Sequence, residues 1–135
     1  MKKSTYVLIF LFVVAVHITY IQNGFIWLDH NDIQERQAVL EVSKIPTAFI
    51  IPFGQTSFYR PIVTITNSID YFLYKSWAPG LHITNLLLHV MMVFAAIKFT
   101  SVFWKIDKRF LPFIAAFIGV HPLTILIVGS ITHRQ

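Results

Sequence analysis

The stretch that decides the fold is PGLHITNLLLHVMMVFAAIKFTSVFW, residues 79–104, in which Lys98 is the sole formally charged side chain. At about 1.5 Å per residue such a run makes a helix of roughly 39 Å, longer than the about 30 Å hydrocarbon core of a bilayer. Pro79 suits a first helical turn, where no N–H is needed, and Lys98 is close enough to the far end to snorkel. His82, Asn85 and His89 recur at i, i+3 and i+7 and therefore share one face. The two histidines are about 10 Å apart along the axis, too far for one metal ion, so the face reads as an interhelical hydrogen-bond seam.

Two further apolar runs flank this one. Tyr6–Ile21 (YVLIFLFVVAVHITYI), with Ser4 and Thr5, reaches about 18 residues. Its apolar core exceeds the roughly 7–15 residues of a signal peptide, and the following IQNGF has no small-x-small cleavage site, so it reads as a retained anchor. Phe110–Ile131 is long enough to span, with Pro122 expected to kink it or divide it in two. The expected organisation is a first span within 1–22, a long loop over 23–78, a second span over 79–104, a short loop at 105–109, a kinked third span over 110–132 and a tail at 133–135. The fold class is thus all-α integral membrane, with about three transmembrane helices and short interfacial helices in the long loop.

Composition agrees. The 135 residues are 56% hydrophobic and 13% charged, with a mean hydropathy of +0.65, against about 25% charged for ordinary soluble domains. The absence of cysteine excludes disulfides, thiol nucleophiles and Cys-based metal sites. The net charge of +5 resides in small clusters beside apolar runs, as topology signals do, which argues against nucleic acid as a partner. Lys2 and Lys3 precede the first span, and Lys105, Lys108 and Arg109 crowd the short loop. Positive charge marks the cytoplasmic side, so the N-terminus is expected inside and the long loop outside the inner or plasma membrane, or in the lumen of the endoplasmic reticulum in a eukaryote.

The long loop carries five acids, Asp29, Asp32, Glu35, Glu41 and Asp70, and is too rich in Ile, Phe, Trp and Tyr for a disordered linker. Asn31 or Asp32 is placed to cap a short helix through about Ser43, and Asp32 to pair with Arg36. In RPIVTITNSIDYFLY, Ile62, Ile65, Ile69 and Phe72 form one apolar face, expected to lie along the membrane surface. Asp29, Asp32 and Glu35 offer hard oxygen atoms for a divalent metal, but no full coordination set accompanies them, so no cofactor is indicated and a divalent metal stays open. His121, before Pro122, is placed to bond carbonyls freed by a kink.

Four stretches, FIWLDHNDI (25–33), FYRPIVTITNSIDYFLY (58–74), GLHITNLLLH (80–89) and HPLTILIVGSITHRQ (121–135), together resemble the N-terminal part of multi-spanning C-type (GT-C) glycosyltransferases. The likeness is nearest to the transmembrane and tetratricopeptide-repeat O-mannosyltransferase-like proteins and their bacterial relatives. It implies sugar transfer from a polyprenyl-phosphate donor to an acceptor on the outer face of the membrane. It also implies that this chain is an N-terminal portion, inactive alone, whose partners are the bilayer, the lipid-linked sugar donor and either further C-terminal helices or another subunit. Carried over by position, the family's acid pair falls on Leu28 and Asp29, making Asp29 the catalytic base. Arg60, His121 and Arg134 become the candidates for holding the lipid phosphate, with Asp32, His82, Asn85 and His89 secondary. Thr124 and Leu126 stand where the family places a histidine and a glutamate. On this reading Asp29 faces water, so Asp29→Asn is expected to spare folding, and the His82–Asn85–His89 face is expected to lack partners within three helices. A different reading, a small non-catalytic membrane protein that is a pseudoenzyme remnant or an assembly partner, needs none of this chemistry.

Overall fold

The structure is a computed structural model that describes residues 3–26, 29–30, 33, 41–50, 52, 59–104 and 106–131. Every regular element among the described residues is helical. Helix α1 spans Lys3–His17 and tightens into a 3₁₀ segment, Ile18–Gln22. A second 3₁₀ segment, Val42–Phe49, runs through Pro46. Then come α2 (Pro61–Tyr74), α3 (Ala78–Phe103), α4 (Leu111–Val120) and α5 (Pro122–Gly129).

Lys3–Gln22 and Ala78–Phe103 are each long and apolar enough to cross a membrane, as expected. Helices α4 and α5 together pass the same test but are bent by 49° at His121, so the expected third span is divided at its proline. Pro122 has no N–H to give the helix, and its ring disfavours a helical residue before it. His121 is accordingly extended, with φ −59° and ψ 137°.

The core forms where α1, α3 and α4 meet, around Ile9, Val13, Val93, Ile97, Leu111 and Ala115. Gly119 sets the closeness of α1 to α4: a Cβ there would lie 2.8 Å from Cγ2 of Val13. The outward faces remain apolar, with Leu8, Leu11, Met91, Phe103, Phe113 and Phe117 all exposed. In water such a surface would aggregate; in lipid it is solvated.

Helix α2 is amphipathic with its polar side turned inward. Thr64, Asn67, Ser68 and Asp70 are buried, while Ile62, Ile69 and Phe72 are exposed. The expected apolar face exists and is free to meet lipid, and the side facing α3 is polar. One link across that contact is a hydrogen bond from Thr84 Oγ1 to Asp70 Oδ1 at 2.9 Å. The expected helix from Asn31 through Ser43, including the Asp32–Arg36 pair, falls largely outside the described residues.

In the short connection, Arg109 grips Asp107 at 2.8 Å. The Arg109 hydrogen bonds hold the Asp107 carboxyl below its usual range. A depressed carboxyl keeps this contact intact at neutral pH and loses it only on strong acidification. Both groups are exposed, so the pair shapes the loop and adds little to stability.

The α1–α4 packing makes a direct prediction. The Cβ position at Gly119 is 4.0 Å from Val13 Cβ, inside the about 3.5–4.5 Å range of disulfides. Val13→Cys with Gly119→Cys in this cysteine-free chain should therefore cross-link on mild oxidation, and Val7→Cys with Gly119→Cys should not. Equal behaviour of the two pairs would contradict the packing.

Candidate functional site

The 3₁₀ segment Ile18–Gln22 ends in extended backbone at Asn23, and Asp29 lies at the end of α5. Helix α5 stops at Gly129, and Ser130 is extended (φ −107°, ψ 134°), so the Ile131 N–H leaves the helical ladder. It donates instead to Asp29 Oδ2 at 3.1 Å. The Ser130 hydroxyl donates to Asp29 Oδ1 at 2.9 Å, and the Ile26 N–H donates to Oδ2 at 3.2 Å. Asp29 is completely buried, with a relative exposure of 0%. The expectation that it faces water is therefore corrected: the carboxylate is exchanged from water to protein donors, which hold it where a membrane span ends. An ionised carboxylate tolerates such burial only with this kind of donor set.

Each of the three residues on the polar face of α3 has a partner across the bundle, which corrects the expectation that the face lacks partners and bears out the hydrogen-bond seam. Breaking the third span at Pro122 leaves the Gly119 carbonyl without the Leu123 N–H, which goes to His121 Nδ1 at 3.3 Å. His89 Nε2 meets the Gly119 carbonyl at 3.1 Å. At the end of α5, Asn85 Nδ2 donates to the carbonyls of Ser130 at 2.8 Å and Ile127 at 3.3 Å. His82 Nδ1 meets the Val128 carbonyl at 3.2 Å, and its Nε2 meets the Gly24 carbonyl at 3.5 Å. Three side chains at helical spacing thus partner carbonyls at the C-terminal ends of both halves of a broken helix that runs antiparallel to their own.

His121 does not bond freed carbonyls as expected. It accepts an N–H, capping α5, while its ring packs edge-on against Phe117 at 5.3 Å. Arg60 precedes α2 and is half-buried; its carbonyl accepts from Thr64, by N–H and hydroxyl, each at 3.1 Å. Asp32 and Arg134, two of the candidates, lie outside the described residues. The structure therefore brings together Asp29, His82 and Asn85, with Ser130 and the Ile131 N–H, which sequence reasoning did not single out. The available signal was the Gly-Ser pair ending an apolar run: glycine marks a helix end, and the next donors then need partners.

Between α2, α3 and α5 lies a cleft of about 290 Å³, walled by Ile62, Val63, Leu88, Met92 and Ile127, with Asn85 and His89 also lining it. Its walls are almost wholly apolar. No set of three or more potential metal ligands occurs among the described residues. No protein-family model, curated protein or solved structure matches this chain.

Proposed function

We propose that this chain forms the first membrane helices of a C-type glycosyltransferase, which moves a sugar from a polyprenyl-phosphate donor to an acceptor at the outer face of the membrane. The observation that carries the reading is the meeting of the four family-like stretches. Asp29, from 25–33, bonds Ser130 and Ile131, from 121–135, across about a hundred residues of sequence. His82 and Asn85, from 80–89, bond the carbonyls of Val128 and Ser130. Asp70, from 58–74, accepts from Thr84 in 80–89.

In this reading the acceptor hydroxyl attacks the anomeric carbon and the lipid phosphate departs. Asp29 takes the acceptor's proton after Ser130 rotates away from Oδ1, since a base must reach the proton it removes. Arg60 supplies positive charge to the leaving phosphate. The apolar cleft beside α3 matches the chemistry of an isoprenoid or acyl chain and lies on the same bundle. The N-terminus faces the cytoplasm, with Asp29 and Arg60 on the other side.

A second reading is favoured by one specific observation, that both Asp29 oxygens are occupied by protein donors. There the chain is a non-catalytic membrane protein and Asp29 is a joint. Deleting the gene and restoring it tests the enzymatic reading: transfer from a labelled polyprenyl-phosphate sugar in native membranes should vanish and return. Transfer that persists unchanged in the deletion overturns the enzymatic reading.

Topology is tested in the same strain. Single cysteines at Gln55 and Lys108 are probed in intact cells with an impermeant thiol reagent. Position 55 should label and position 108 should not; the reverse result would invert the orientation.

A further inference from the structure

An open groove of about 480 Å³ lies between the end of α3 and the start of α4, at the opposite end of α3 from Asp29. Its size falls within the about 300–1,000 Å³ of ligand sites. Thr100 and Trp104 form one wall, and Phe113, Ile114, Phe117 and Ile118 the other. The Thr100 hydroxyl already donates to the Ala96 carbonyl at 2.7 Å, so apart from the Trp104 indole the walls offer hydrocarbon. Trp104 is exposed where the span ends and stands edge-on to Phe99 at 5.8 Å. Tryptophan at the end of a span sits at headgroup level, which places the mouth of the groove there. From Phe113 to Ile118 the α4 wall runs on for roughly 7 Å toward the bilayer centre.

The connection beside this mouth carries three bases, Lys105, Lys108 and Arg109, against one acid, Asp107. Arg109 is bound to Asp107, so the surplus positive charge falls on the two lysines. Lys108 is exposed, and Lys105 stands in the sequence between Trp104 and Ile106, both of which line the groove. We propose that this groove is a site for one acidic phospholipid of the leaflet that meets the 105–109 connection, with an acyl chain along α4 and the phosphate at Lys105 and Lys108. Basic groups at the mouth of an apolar slot between spanning helices recognise anionic headgroups. A zwitterionic lipid would fill the slot but gain little from the lysines, and an apolar protein helix would leave their charge unmatched. The site is independent of any reaction at Asp29.

With Trp27→Phe and Trp77→Phe, Trp104 becomes the sole tryptophan and reports on the groove by fluorescence in lipid vesicles. Its quenching by brominated phosphatidylglycerol should give an association constant about fivefold or more above that of brominated phosphatidylcholine, the factor that one lysine at an anionic surface supplies. Lys105→Gln with Lys108→Gln should bring the ratio to about one. Lys98→Gln, which removes a charge roughly 9 Å back along α3 from Trp104, should leave it unchanged. A ratio near one in the parent overturns the proposal, because ordinary lipid or protein then covers the groove. An equal loss in Lys98→Gln also overturns it, because the preference is then a general effect of surface charge. Native mass spectrometry of the unaltered chain, taken from an equal mixture of the two lipids, is an independent readout. One phosphatidylglycerol should be retained, and retention of neither lipid or of both alike contradicts the site.

Discussion

Replacing Asp29 with alanine lowers the stability of the chain by about 3 kcal/mol, and its thermal midpoint by about 10 °C, because the buried Ile131 N–H and the partly buried Ile26 N–H then have no acceptor at Asp29. The Ser130 hydroxyl loses the same partner but can turn, so it contributes less. Asp29→Asn keeps one oxygen and turns an amide N–H₂ toward a donor, and should cost about half as much. Thermal unfolding in detergent, read by helix content, measures both. A midpoint within a degree of wild type for the alanine variant would mean that the carboxylate is not held as described.

The second large effect is on chemistry. Under the proposed function, Asp29→Asn removes the group that accepts the proton, and single-turnover transfer should fall by about 100-fold or more, the usual scale for a positioned base. Because the same change also destabilises the protein, rates must be compared at equal amounts of folded chain. Near-normal transfer per folded molecule would remove Asp29 from the reaction.

The spanning helices were legible because length and unbroken apolarity suffice to define them: Ala78–Phe103 differs from the expected 79–104 by one residue at each end. The break at Pro122 was legible for the same local reason, a missing N–H. The seam of His82, Asn85 and His89 followed from helical spacing, although its partners did not. Those partners are carbonyls, which every residue has, so only the position of the break selects Gly119, and only the end of α5 selects Val128 and Ser130. Asp29 was misjudged because its environment is set by Ser130 and Ile131, which no periodicity near Asn23–Glu35 can reveal. Helix α2 shows a related limit. Its apolar stripe was visible and is exposed, but the burial of Thr64, Asn67, Ser68 and Asp70 on the other side depends on neighbours that no periodicity reveals.

Under the proposed function Asp29 is a catalytic group held in place by a hydrogen-bonded joint, and Ser130→Ala is the variant that separates the two roles. Both variants loosen the joint, but only Asp29→Asn removes the carboxylate. The measurement is single-turnover transfer from a polyprenyl-phosphate sugar in native membranes, normalised to folded protein. Ser130→Ala should keep transfer within a few-fold of wild type, while Asp29→Asn should lose about 100-fold or more. If instead the two variants lose activity only in step with their folded fraction, Asp29 is a structural joint and the catalytic assignment is wrong.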